Sequence, residues 1–347
     1  MVGFGAPGFW WRPRITLAAH LLLPFSLVYG FLSSRRMERA PAFTSPLPVI
    51  CVGNFVAGGT GKTPMALLLA SMLRETGEAP VFLTRGYGGT LGRDEPVIVE
   101  VPLHGAHEVG DEALLLAAEA PTIVSADRAA GARLAGTLGS VIVMDDGFQN
   151  PTLAKSLSLV LADTATGVGN GCVIPAGPLR APLEVQLPRA DAVVLVGREA
   201  AAGDALRARA RVSHRQVLSA RLAPVPGHGL SGRRVLAFAG IGRPEKFFET
   251  LEREGARIVE RHVFGDHRAY SVADAARLMA RAEARDLVPV TTEKDFVRMA
   301  HGATREDPAV AGLLARCQVL KVRMVADDAP ALAALLDARL GRVRGQA

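Results

Sequence analysis

Gly58-Gly59-Thr60-Gly61-Lys62-Thr63 carries the sharpest chemical signature in this sequence. An apolar run, Val49 to Val52, precedes it, and a helical pattern, MALLLASMLRE, follows. Between a strand and a helix, the N–H groups of a glycine-rich turn can surround phosphate oxygens, and the helix dipole adds to the attraction. Lys62 then reaches the outer phosphates and the Thr63 hydroxyl binds Mg²⁺. The expected nucleotide cradle runs through Val56, Ala57, Gly58, Gly59, Thr60, Gly61, Lys62 and Thr63. It is irregular, because Val56 stands where the usual G-x-x-x-x-G-K-[ST] pattern has its first glycine.

A second chemical feature lies roughly 80 residues on. The apolar strand Val141 to Met144 ends in Asp145-Asp146-Gly147-Phe148-Gln149, the pattern of an acid that holds Mg²⁺ beside a phosphate loop. Asp145 and Asp146 are the expected metal ligands. Asp111 opens an apolar helix and reads either as a helix cap or as an acid near the phosphates. His267, on a Gly-Asp-His-Arg loop, reads either as a surface histidine or as a proton acceptor paired with Asp111. Arg85 and Tyr87 sit just past the strand Pro80 to Thr84, where open α/β sheets bind ligands. Arg180 and Arg189 lie in a long Gly- and Pro-rich segment, and a loop of that length is uncommon unless functional.

The elements that must position these residues alternate strand and helix through most of the chain, which predicts an α/β fold with parallel sheets. Three segments are expected: an apolar N-terminal segment over 1–40, a P-loop core over 41–230 and a smaller αβ domain over 231–347. The last strand is placed at Gln318 to Val322. Ile15 to Leu32 lacks charged residues and is flanked by Trp10-Trp11 and by arginines. Ser33-Ser34 running straight into arginines argues against a cleavable signal. The segment suits a helix lying in or dipping into the cytoplasmic membrane face, peripheral or monotopic, with a buried core helix as the alternative. The 347 residues carry a net charge of +6, which suits nucleic acid, anionic membranes or phosphorylated substrates. Three widely spaced cysteines give neither a disulfide framework nor metal-ligand spacing.

Taken in order, the motifs resemble the LpxK family of tetraacyldisaccharide 4′-kinases of the lipid A pathway. The resemblance rests on Val52-Gly53-Asn54 with Gly58 to Pro64, Thr84 to Gly88, Val109 to Glu112, Asp145 to Gln149, Gly177 to Arg180, Phe238 to Gly242, Phe264 with Asp266-His267, and Thr292 to Asp295. The irregularity at Val56 belongs to the family pattern. The resemblance implies phosphorylation of a lipid disaccharide 1-phosphate by ATP and Mg²⁺ at the cytoplasmic face of the inner membrane of a Gram-negative bacterium. It implies a P-loop core that closes on a smaller domain, with no nucleic acid and no obligate protein partner. Lys62 and Thr63 would bind phosphate and Mg²⁺, Asp111 would act as base supported by His267, and Arg85 and Arg180 would face the lipid. Asn150 and Arg268 depart from the pattern, Asn150 standing where many relatives are expected to carry His. The alternative is a P-loop ATPase/GTPase switch or chaperone at the membrane; Ala57 in place of the extra loop lysine of that class weighs against it.

Overall fold

Buried strands of Val, Ile and Leu set the frame. In this computed structural model, which describes residues 6–344, β1 (Val49–Asn54), β2 (Pro80–Thr84), β3 (Val97–Ile98), β4 (Thr122–Val124), β5 (Val141–Asp145), β6 (Leu157–Asp163), β7 (Ala192–Val196) and β8 (Gln216–Pro224) form most of one sheet. Residues 1–5 of the N-terminal segment and 345–347 of the last domain lie outside the described residues. Next come β9 (Arg234–Ala239), β10 (Arg257–Val263), β11 (Val288–Thr292) and β12 (Gln318–Leu320), which form a second sheet in the order β10-β9-β11-β12. Then β13 (Val322–Ala326) returns to the first, giving the order β13-β8-β7-β6-β1-β5-β2-β4-β3.

Both sheets are parallel except at the edges of the larger, where β13 pairs antiparallel with β8 and β3 with β4. Every residue of β1, β2, β5, β6 and β7 is buried, because helices cover both faces of the parallel core. The carboxyl ends of β1, β5, β2 and β6 therefore open on one rim, which is where such sheets bind ligands.

The chain end differs from the expectation. The single strand expected at Gln318 to Val322 is two strands in two sheets, with Lys321 between them. The helix Ala329–Arg344 also belongs to the larger unit: Leu332, Leu336 and Leu340 pack in the cluster that holds Leu69 and Leu73 of the P-loop helix Lys62–Glu75. The domain expected over 231–347 thus ends at β12. The remainder folds back because the P-loop helix needs an apolar cover on its outer side.

The N-terminal helix spans Leu17–Met37, five residues beyond Leu32. Thr16 caps it, accepting from the Ala19 N–H at 3.3 Å. Its polarity is inverted. Small or polar residues (Ala19, Ser26, Gly30) are buried, while Leu17, Leu21, Phe25, Leu27 and Phe31 are at least 60% exposed. The buried stripe docks along the segment 169–191. Ser26 Oγ donates to Val173 O at 2.7 Å and accepts from the Ala176 N–H at 2.8 Å. The Arg189 Nε–H donates to Met37 O at 3.2 Å. The long Gly- and Pro-rich segment is therefore the seat of this helix, and the helix lies along the protein rather than standing away from it.

Candidate active site

The phosphate loop is built in two halves. Its first half pairs with the Gly177-Pro178-Leu179-Arg180 stretch: the Ala57 N–H donates to Pro178 O at 2.8 Å and the Arg180 N–H to Phe55 O at 2.9 Å. Val56 is buried and forms a bridge with Leu179. Val56 and Ala57 thus clamp the neighbouring segment, while Ala57 also lines the cleft beside Gly58. A glycine is not required at position 56, because that residue lies in a bridge and not in a phosphate-facing turn. The open half is Gly58 to Lys62. The Asn54 Nδ2–H donates to Gly58 O at 3.0 Å and holds this half in place. Gly61 sits at φ +87°, where a side chain would be strained and its Cβ would meet Met324 of β13 at 2.8 Å.

Thr63 and Asp145 meet as expected: Thr63 Oγ1 donates to Asp145 Oδ2 at 2.9 Å. Asp145 Oδ1 is buried without a hydrogen-bond partner. Burial, and next the charge of Glu112, push the Asp145 carboxyl up to about 7. An orphaned carboxylate oxygen beside a hydroxyl is a hard-oxygen donor set that fits Mg²⁺, which keeps waters and phosphate oxygens as its other ligands. Asp146, the other expected ligand, meets two cations. It sits at φ +56° and its two oxygens accept from Arg180 at 2.7 and 3.2 Å. Lys62 Nζ lies 3.8 Å from it. Asp146 thus pairs with two cations, and it lines the cleft together with Arg180.

Asp111 and His267 come together across the two units. His267 Nδ1 lies 3.2 Å from Asp111 Oδ2. Asp111 is the first residue of the helix Asp111–Ala117, preceded by Gly110 at φ +88°, where a Cβ would lie 2.7 Å from Tyr87 O. It is not the cap. Arg298 from the second unit grips the same carboxylate, with Nη2 at 2.5 Å and Nε at 3.2 Å. Its Nη1 donates to Asp295 at 2.9 Å and to Gly240 O at 3.1 Å. Asp295 in turn accepts from Tyr270 and from the Gly240 N–H, each at 2.9 Å. Lys294 Nζ donates to Glu112 at 2.5 Å, giving a second ionic tie between the units.

Burial alone would raise the Asp111 carboxyl. The hydrogen bond with His267 and the charges of Lys294, His267 and Arg298 outweigh it and hold Asp111 well below the usual carboxylate range. The same hydrogen bond raises His267 above its ordinary value. His267 also adopts φ +56°, a conformation that costs energy and clusters at functional sites. The Tyr87 ring meets the imidazole edge-on, 5.2 Å between centroids.

A cleft of about 2520 Å³ between the units is lined by Lys62, Arg85, Tyr87, Arg128 and His267, and by Trp10, Trp11 and Tyr29 of the N-terminal region. Asp111 lies behind that lining at 3% exposure. Arg85 stands exposed on the wall. Asn150 closes an Asx turn on Thr152, and Arg268 pairs with Asp274 at 2.8 Å; neither touches the Asp111 carboxylate. Sequence reasoning missed Arg128, Arg298 and the partnership of Glu112 with Lys294. Burial, and then the charge of Arg85, push the buried Arg128 down to about 10. The one available signal for Arg298 was its position three residues after Asp295 on a helix, which puts both on one face.

The LpxK family, described as Tetraacyldisaccharide-1-P 4'-kinase, matches residues 18–341. The chain is 54% identical over 297 residues to the Tetraacyldisaccharide 4'-kinase of Methylobacterium nodulans, covering 85% of this chain and 87% of that one. To the protein of that name from a Methylobacterium species, strain 4-46, it is 50% identical over 346 residues, 99% of each chain. Among solved structures, an "apo" form of LpxK from Aquifex aeolicus in complex with ATP shares the fold, with a TM-score of 0.70 at 24% identity, covering 93% of this chain and 100% of that one. The chain belongs to the LpxK family of tetraacyldisaccharide-1-phosphate 4′-kinases.

Proposed function

We propose that the cleft transfers the γ-phosphate of ATP to the 4′-hydroxyl of a tetraacylated glucosamine disaccharide 1-phosphate, giving lipid IVA in lipid A biosynthesis, at the cytoplasmic face of the inner membrane. One observation carries this reading. A phosphate loop, a carboxylate–imidazole pair and a helix with an apolar outer face border the same cleft.

The N–H groups of Gly58 to Thr63 and the Lys62 ammonium bind the β- and γ-phosphates. Thr63 and Asp145 hold Mg²⁺, which when bound neutralises charge on the phosphate oxygens. Asp146 steers Lys62 and Arg180 instead of ligating the metal. With Nδ1 of His267 held by Asp111 at 3.2 Å, its Nε2, which lies 3.7 Å from Asp266 Oδ1, takes the proton of the attacking hydroxyl. Asp111, buried and gripped by Arg298, orients the ring and stabilises the imidazolium that forms. The family resemblance gives the base to Asp111; the burial of Asp111 and the position of His267 on the cleft support the imidazole as acceptor. Arg85 and Tyr87 contact the sugar from the cleft wall.

The helix Leu17–Met37 supports a monotopic membrane contact. It is long and apolar enough to cross a bilayer, yet its buried stripe follows the protein surface. Small residues on the docked face and large apolar ones outward is the arrangement of a helix whose second solvent is lipid. The charge balance of +6 favours anionic lipid.

Incubation with γ-labelled ATP and the disaccharide lipid in mixed micelles is expected to label the lipid. Lys62→Ala and Asp145→Ala should each lose nearly all transfer. Nucleotide hydrolysis with no labelled lipid would identify a P-loop switch instead.

A further inference from the structure

We propose that Arg243 and Lys246 form a second phosphate-binding site in the cleft and that it takes the 1-phosphate of the acylated disaccharide; this rests on the function proposed above. Arg243 directly precedes the helix Pro244–Arg253, which carries Lys246 on its first turn. Both side chains reach one oxygen of Asp163, the last residue of β6: Arg243 Nη1 at 2.9 Å, and the Lys246 ammonium in direct contact. The Asp163 side chain is 3% exposed, whereas those of Arg243 and Lys246 are 24% and 49% exposed on the cleft.

One buried carboxylate needs one counter-ion. Here it has two, so the cluster presents an excess positive charge to the cleft. Other acids nearby do not cancel it. Glu245 and Glu252 pair with Arg261, Asp266 beside Gly242 pairs with His267, and neither Glu249 nor Asp266 makes an ion pair with either cation. The donors are also incompletely used. The second terminal nitrogen of Arg243 donates to Thr166 Oγ1 at 3.0 Å, but its Nε–H makes no hydrogen bond among the described residues. Among the described residues the Lys246 ammonium bonds only Asp163, and it has further N–H groups to offer. Trp11 fixes the plane of the fork, with its ring 5.0 Å from the Arg243 guanidinium carbon. Unused N–H groups on a rigid, over-charged pair suit a phosphate monoester.

The placement fits the far end of a disaccharide. In β1, Val52 is level with Asp145 of β5 and with Leu159 of β6. Asp163 lies two strands across from Asp145 and four residues further on, about 10 Å and about 13 Å, or about 16 Å in all. That distance accommodates a transferring phosphate and two linked sugar rings, with the 4′-hydroxyl at the phosphate loop and the 1-phosphate at Asp163.

The test compares Michaelis constants for the 1-phosphorylated lipid, for its dephosphorylated analogue and for ATP. Replacing both cations, Arg243→Gln with Lys246→Gln, is expected to raise KM for the phosphorylated lipid roughly ten- to a hundredfold. KM for the analogue and for ATP should stay within about twofold, on the same scale. Because that variant leaves Asp163 unpaired, Asp163→Asn is measured beside it. It keeps both cations and should leave KM for the phosphorylated lipid unchanged or lower. Equal losses on both lipids, or a KM increase in Asp163→Asn matching that of the double variant, would reduce the cluster to a clasp between the units. A rise confined to ATP would assign the cations to the nucleotide. A wild-type enzyme that labels neither lipid would instead remove the proposed function.

Discussion

Replacing Arg298 by methionine tests the reasoning about the dyad most severely. The side chain is 5% exposed and joins two buried carboxylates, Asp111 at 3% and Asp295 at 0%. Methionine keeps much of the volume and removes every N–H. Asp295 keeps donors from Tyr270, Thr292 and Gly240, whereas Asp111 keeps His267 and its neighbour's N–H. Removing one partner from a buried pair costs about 3–5 kcal/mol, and the donors left on Asp295 put the expected loss near about 3 kcal/mol. The loss is also pH-dependent. The Asp111 carboxyl is held low in the folded state, so its contribution is present above its unfolded value and is lost as pH falls through the folded one. Without Arg298 both carboxyls protonate more readily, so the gap between variant and wild type narrows from pH 7 toward about pH 4. Urea unfolding followed by circular dichroism at both pH values measures this. In parallel, kcat should fall more than tenfold, on the order of one bidentate ionic contact, with little change in KM for ATP. A variant within about 1 kcal/mol of wild type, or one whose deficit grows as pH falls, would refute the account.

Two further outcomes follow from the same geometry. Asp111 raises His267, so kcat/KM should climb with pH through a value above about 6.5, the unperturbed imidazole value, as the ring loses its proton. In Asp111→Asn that ascending limb should move to lower pH and the plateau should drop; an unmoved limb would place the titrating group elsewhere. On the N-terminal helix, Leu21 and Phe25 are 69% and 65% exposed, so Leu21→Glu with Phe25→Glu should leave unfolding midpoints unchanged. The same pair should weaken sedimentation with anionic vesicles at least tenfold, since each buried apolar side chain contributes about 1.5–3 kcal/mol. Full vesicle retention would locate the membrane contact on another surface.

Local chemistry made much of this legible from residues alone. The phosphate loop declares itself because backbone groups bind the anion and only glycine permits the turn. The strands ending at Asp145 and Thr84 declare themselves because a doubly covered sheet demands unbroken apolar runs. Arg298 was not legible, because its partner Asp111 lies 187 residues away and no short pattern encodes that meeting. Nor was the division at Lys321, since Val319, Leu320 and Val322 carry the same β preference in whichever sheet they join. The docked stripe of the first helix was hidden for a different reason. Burial there selects small side chains, so hydrophobicity marks the outer face and not the packed one.

The return of the chain at Val322 has a consequence for synthesis. Met324, which abuts Gly61, and the leucines at 332, 336 and 340, which cover the P-loop helix, emerge from the ribosome after the entire smaller unit. Because the ribosome encloses the last stretch of a growing chain, β13 and the helix Ala329–Arg344 can join the phosphate loop only once synthesis ends. The helix Leu17–Met37, by contrast, emerges early, so its apolar outer face is exposed well before the nucleotide site is complete.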